Sequence, residues 1–241
     1  MLSALSFLTP FGRARTPNQT TMSWFPVVGG LIGLAVGSLW WLIAKAWPPL
    51  PTAALVVVAD LTLTGLLHFD GLADAADGLL APMSRERRLE AMADPCIGAF
   101  GAIVVGATLL LRFSAFASMA PSPLVVAGLW CASRTLMTAT AQLLPYARPD
   151  GLVRDFLGNG ERTRRQKLLG LVTVAVGLAL AVALVVITRG ARGLLALGGE
   201  LVAMGAVITL SWRRIGGFTG DVLGAAGVIG ETIGLLLLVT R

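Results

Sequence analysis

Acids, cysteine, histidine and tyrosine are all scarce in this chain. Of its 241 residues only thirteen are Asp or Glu, two are Cys, one is His and one is Tyr, and charged residues make up 13%. A soluble domain carries about 25% charged residues. The low charge, with 56% hydrophobic residues and a mean hydropathy of +0.81, excludes an ordinary water-soluble fold and points to an integral membrane protein. Cys96 and Cys131 are isolated and form no CxxC, which argues against a disulfide framework and a thiolate metal site. The first ten residues lack the basic start and the cleavage site of a signal peptide, so an uncleaved protein is expected.

What the chain has in quantity is apolar sequence. Runs of the ~17–25 residues needed to cross a hydrocarbon core fall at roughly 27–46, 53–67, 97–120, 124–143, 168–188, 193–211 and 222–240. The expected fold is all-α: a polytopic helical bundle of about seven transmembrane helices, with six or eight as alternatives, residues 1–241 forming one transmembrane domain. No breaker separates the second run from the residues after it, so a single helix is expected from about Pro51 to Leu80, with its last turns in the headgroup region. The 29 glycines read first as close helix contacts.

Short loops rich in Lys and Arg stay on the cytoplasmic side. With seven spans, one set of loops holds thirteen basic residues, from Arg13 and Arg15 through Arg85, Arg87 and Arg88 and the 148–167 loop to Arg213 and Arg214. The alternating set holds Lys45, Arg189, Arg192 and Arg241. The amino terminus is therefore expected inside and the carboxyl terminus outside. Every acid-rich or Gly-rich polar loop then falls on the cytoplasmic face, as expected of a site built at one membrane surface. The net charge of +6 fits orientation and anionic headgroups, or a polyanionic substrate as well. The bilayer is the partner that composition demands; no nucleic-acid role is expected, and self-association is left open.

The acids are not spread evenly. "GLLHFDGLADAADGL", residues 65–79, holds His68, Asp70, Asp74 and Asp77. On an ideal helix Asp74 lies about 40° from Asp70 and Asp77 about 20° to the other side, so all three share an arc of about 60°. Three like charges on one stripe near lipid call for a compensating cation, either a divalent metal or a basic partner. Hard carboxylate oxygens suit Mg²⁺ or Mn²⁺ held together with substrate phosphates, and Gly71 and Gly78 are expected to let a bulky ligand approach. His68 lies about 160° from Asp70 and joins the cluster only where the helix breaks near Gly65 or Gly71.

Further candidates lie elsewhere. Asp94 before Pro95 reads as the N-cap of the third span or as a site residue. Asp221, at the end of "GGFTGD", opens the last span under the same pair of readings, and Gly216, Gly217 and Gly220 free a helix amino terminus for phosphate. Glu231 is expected to make an interhelical polar contact. Arg134, within the fourth span, needs an anionic partner, for which Asp60 or Glu200 is expected, while Arg112 is expected to snorkel outward. Arg148, Asp150 and Arg154 surround a "PDG" turn.

In order, "HFDGLADAADGL", "MADPCIGAFG", "SRTLMTATAQLLPYARPDGL" and "GGFTGDVLGA" followed by Glu231 resemble the blocks of the cobalamin synthase family, the adenosylcobinamide-GDP ribazoletransferases, over nearly the whole chain. The resemblance implies a multi-span bacterial inner-membrane enzyme that requires Mg²⁺ and joins α-ribazole, or its 5′-phosphate, to adenosylcobinamide-GDP with release of GMP, the last step of nucleotide-loop assembly. It implies that Asp70, Asp74 and Asp77 hold metal; that His68 acts as base or ligand; that Asp94 and Asp221 complete the shell or orient the nucleophile; and that Arg134, Arg148 and Arg154 contact phosphates, beside the backbone at Gly217 and Gly220. Three positions depart from the family pattern: Cys96 and Pro10 stand where Arg is usual, and Gly227 where an acid is frequent. A CDP-alcohol-type phosphotransferase is the rival enzyme, though its acid spacing differs. An ion-coupled transporter relaying through Asp60, Glu200 and Arg134 is the rival from another class.

Overall fold

The computed structural model of the chain describes residues 1–10, 21–148 and 163–240. Nine α-helices lie in the described residues: α1 (Leu2–Leu8), α2 (Phe25–Ile43), α3 (Pro49–Leu63), α4 (Leu67–Leu80), α5 (Arg85–Ala91), α6 (Ala99–Ala117), α7 (Pro123–Leu143), α8 (Arg164–Ile215) and α9 (Gly220–Val239). Proline opens α2, α3 and α7, where its fixed φ suits the first turn and its missing N–H costs nothing. A capping box, Thr163 with Gln166, opens α8, and Gly216 at φ 75° closes it.

Five of these helices are long and apolar enough to cross a membrane, six when α3 and α4 are taken as one broken span. The chain is an all-α, polytopic membrane bundle whose outer faces are apolar: Ile103, Leu110, Ile187 and Val202 are each at least 70% exposed. The sequence count of seven differs chiefly over α8, whose 52 residues are interrupted at Gly190 (φ 54°, ψ −132°). A Cβ on Gly193 would lie 2.3 Å from the Val185 carbonyl oxygen, so the chain turns back on itself there and the two halves run as separate segments.

The single helix expected from Pro51 to Leu80 does not form. The chain bends by 88° between α3 and α4, with Gly65 at φ 58° and Leu66 at φ 62°. Glycine enters the left-handed region freely; leucine does so only at a cost. The bend directs α4 along α9, while α2 packs on α7 and α7 on α8.

Two groups of loops form the two ends of the bundle. At one end, Arg189 donates to the Ala120 carbonyl at 3.2 Å, and Gly37 packs against Pro123. At the other, the segment before residue 149, the α8–α9 turn and α5 interlock. Phe218 N–H donates to Pro145 O and Ala147 N–H to Phe218 O, at 3.1 and 2.9 Å, and Tyr146 packs edge-on against Phe218 with centroids 5.5 Å apart. Arg85 ties both segments together by donating to Ile215 O at 2.9 Å and Ala147 O at 3.2 Å. The acid-rich and Gly-rich segments thus share one end, as the loop pattern requires.

Candidate active site

Two glycines decide where the acids of α4 point. A Cβ on Gly71 would lie 2.9 Å from the Asp221 Cα, and one on Gly224 would lie 3.2 Å from the His68 Cα. At this crossing α4 and α9 pack backbone against backbone, as small residues permit. Asp221, in the first turn of α9, is thereby set against the first turns of α4. Gly71 was expected to admit a bulky ligand; in the structure it admits the neighbouring helix. Gly78 is likewise closed, by Met92 and the Arg88 carbonyl.

The carboxylate stripe divides in two. Asp74 lies within electrostatic reach of Asp221, Asp70 and Arg148, and less strongly of Asp77, and Asp70 and Asp221 both line one cavity of about 300 Å³. Asp77, one turn further on, has other partners: its oxygens accept from Gly98 N–H at 2.7 Å and Gly101 N–H at 2.9 Å. These are orphan donors at the start of α6, so Asp77 caps that helix across 21 residues of sequence, with its negative charge at the positive end of the dipole. Among the described residues no three His, Cys, Asp or Glu side chains converge closely enough to cage an ion.

The caps expected at Asp94 and Asp221 lie elsewhere. The third span begins at Ala99 with Gly98 at its N-cap; Asp94, four residues earlier, is exposed and accepts from Cys96 N–H at 2.9 Å. The last helix is capped by Thr219, whose hydroxyl accepts from Val222 N–H at 3.3 Å. The Asp221 carboxylate accepts from the same Thr219 hydroxyl at 3.2 Å and meets Arg148 at 3.2 Å, the Asp221 and Arg148 side chains each 22% exposed. The Arg148 Nη2 in this pair has no hydrogen bond among the described residues. The contact is an ion pair without hydrogen-bond geometry.

His68 also lines the cavity, although α4 is continuous from it to Asp70. The break at Gly65–Leu66 precedes His68 and leaves the angle between the two side chains unchanged; the cavity instead wraps the first turn of α4. His68 is 5% exposed, and its Nδ1 is buried without a partner among the described residues. Gly220 lines the cavity too. Gly217 does not: its open face meets the Pro145 carbonyl, where a Cβ would approach to 2.3 Å, and its own carbonyl accepts from Ser211 at 2.7 Å. Gly217 closes the loop. Arg154 and Asp150 lie outside the described residues.

Sequence reasoning missed three contributors. Tyr146, the only tyrosine, lines the cavity beside Arg148; burial pushes its phenol above the ordinary range, with Arg148 pulling the other way. Phe7 and Leu8 of α1 form an apolar wall, and nothing in a seven-residue apolar segment announces that. Arg85 counted only toward orientation, yet it holds the two segments that carry Arg148 and Asp221.

Arg134 lies deeper, in a second ionic cluster. It pairs with Glu231, not with Asp60 or Glu200, and also bonds Ser133. Arg112 does not snorkel outward. It is 1% exposed, pairs with Asp60, and meets Glu231 at 3.0 Å. It also donates to Thr232 at 3.2 Å and Val228 O at 3.1 Å and lies over the Trp130 ring at 5.0 Å. Glu231 makes the interhelical contact expected of it, bridging both arginines. Two cations and two anions pair here as a structural brace, while Arg134 Nε and both oxygens of buried Glu200 have no hydrogen bond among the described residues.

The profile of a family described as cobalamin-5-phosphate synthase matches residues 1–239. Curated relatives named adenosylcobinamide-GDP ribazoletransferase include a protein of Chlorobium phaeovibrioides, 34% identical over 240 residues, covering 96% of this chain and 93% of the relative. Another, from Brucella ovis, is 39% identical over 228 residues, covering 89% and 84%. No solved structure matches.

Proposed function

The chain belongs to the cobalamin-5-phosphate synthase family, and from that premise we propose that it transfers α-ribazole, or its 5′-phosphate, onto adenosylcobinamide-GDP with release of GMP, using Mg²⁺. It is a transferase of cobalamin synthesis and a multi-pass membrane protein. The observation that carries the finer reading is the glycine-mediated crossing of α4 and α9, which brings Asp70, Asp221, Arg148 and His68 to one cavity, with Asp74 within electrostatic reach of Asp70 and Asp221.

The donor set fits Mg²⁺ of the kind held by one or two carboxylates, with substrate phosphates and water filling the remaining positions, and not an all-protein cage. One or two of Asp70, Asp74 and Asp221 would hold it, and when bound it would supply neutralising charge at the pyrophosphate. In the reaction a ribose hydroxyl attacks the phosphorus on the cobinamide side of the pyrophosphate. The bond from that phosphorus to the GMP oxygen breaks, GMP leaves with the electron pair, and the hydroxyl proton passes to a base. We assign that base to His68, the only histidine, buried at the cavity wall. Arg148 contacts phosphate by leaving its loosely made pair with Asp221. Asp77 supports the site by bracing α6, and Arg134 supports it by bracing the interior. The excess of basic residues in one loop set supports a cavity at the cytoplasmic face of a bacterial inner membrane.

The test is product formation. Purified protein in detergent, given adenosylcobinamide-GDP, α-ribazole and Mg²⁺, is expected to release GMP and form the corrinoid product in equal amounts. Absence of GMP with both substrates and the metal present would remove this reading.

A further inference from the structure

The cavity has one wholly apolar wall. Asp70, Asp221, Arg148 and Tyr146 come from α4, α9 and the segment before residue 149, with apolar Leu67, Met137 and Leu223 beside them, whereas α1 and the start of α2 contribute only apolar side chains, Phe7, Leu8 and Phe25 among them. We infer that this cavity is the nucleoside subsite: the ribose lies at the carboxylate end and the base lies against the wall made by α1 and Phe25. The inference rests on the transferase reading above and says which of the two substrates fills the cavity, and in which direction.

Size comes first. A volume of about 300 Å³ lies at the lower end of the ~300–1,000 Å³ typical of small-molecule sites. That is room for one nucleoside; a corrinoid joined to GDP is several times larger and must lie mostly outside. Polarity then separates the two bases on offer. Guanine carries donors and acceptors around its edge, and burying them against Phe7, Leu8 and Phe25 would leave them unpaired, at a cost. The fused, methylated aromatic base of α-ribazole has no exocyclic donor and loses nothing there, while its faces match aromatic side chains.

The wall is built, not incidental. Phe7 stacks on Phe25 with centroids 5.9 Å apart and planes at 19°, and Ala4 and Leu8 are 0% and 1% exposed. The segment after α1 is held by the helix break: a Cβ on Gly65 would touch the Pro10 ring at 3.2 Å. The bend that sets α4 against α9 therefore also seats the apolar wall. At the polar end, the unpartnered and buried His68 Nδ1 marks hydrogen-bonding capacity that the described protein does not satisfy.

The test varies one substrate at a time on the full-length protein in detergent. Phe7→Ala is expected to raise KM for α-ribazole about tenfold, as loss of an aromatic contact implies. KM for adenosylcobinamide-GDP and kcat should stay within about twofold, and Phe7→Leu should recover most of the loss. A rise in KM for the corrinoid substrate alone, or no change in either, would overturn the inference. A binding measurement separates it from the transferase reading: radiolabelled α-ribazole or GMP is equilibrated with wild-type and Phe7→Ala protein, without turnover. Weakened α-ribazole binding with unchanged GMP binding supports the subsite; the reverse, or equal binding of α-ribazole by both proteins, overturns it. Wild-type protein that makes no product would count against the transferase reading, while the binding result still decides the subsite.

Discussion

The two ionic clusters of this bundle are built from the same residue types and differ in how completely they are paired. In the interior, Arg112 and Arg134 face Asp60 and Glu231, and each ion reaches an opposite charge and further hydrogen-bonding groups. At the α4–α9 crossing, Asp70, Asp74 and Asp221 face one another, with one loosely paired arginine and a histidine nitrogen without a partner among the described residues. A cluster whose charges meet their opposites stabilises, even with Arg134 Nε left without a hydrogen bond among the described residues; a cluster left short of positive charge is prepared for something that brings it. The residues alone do not distinguish the two. The partners do.

That contrast can be broken most severely from the interior side. Arg112→Met leaves Asp60 without its cation and removes one of the two held by Glu231, and breaking a buried pair from one side costs about 3–5 kcal/mol. Thermal unfolding in detergent should show the loss, and an inactive but equally stable variant would mean that the interior cluster has a catalytic part. Asp77→Ala, which removes the cap on Gly98 and Gly101, should cost about 0.5–2 kcal/mol. Its activity should fall less than that of variants at the crossing; complete loss of turnover at unchanged stability would return Asp77 to the reacting group. The smallest effect is expected at Glu200, 0% exposed, with neither oxygen hydrogen-bonded among the described residues. Glu200→Met strands no partner and should change stability by less than about 1 kcal/mol in either direction. A large destabilisation would reveal a partner and make the interior cluster larger than the four ions named.

The sequence made one half of this comparison visible and hid the other. The helical bundle, its one-ended loop chemistry and the candidacy of Asp70, Asp74 and Asp221 follow from apolar run length, charge placement and motif. Glu231 as an interior bridge was legible because a carboxylate deep in an apolar run needs a cation. The division of the acid stripe was not legible: angular spacing puts Asp77 with Asp70 and Asp74, and only the approach of Gly98 and Gly101, 21 and 24 positions away, gives it separate work. The bend at Gly65–Leu66 was hidden for a similar reason. No proline marks it, and a leucine at positive φ is a conformation that tertiary packing imposes. Local pattern reports which side chains want partners, whereas the partners themselves come from helices far apart in the chain.

The measurement that bears most directly on this account is the rate of GMP release by Asp74→Asn as Mg²⁺ is titrated, read beside the thermal midpoint of the same preparation. The account predicts turnover lower than wild type by at least about 10²–10³ at every Mg²⁺ concentration, with the midpoint close to that of wild type. Wild-type turnover in Asp74→Asn would contradict it, because the carboxylates of the α4–α9 crossing would then have no part in the chemistry.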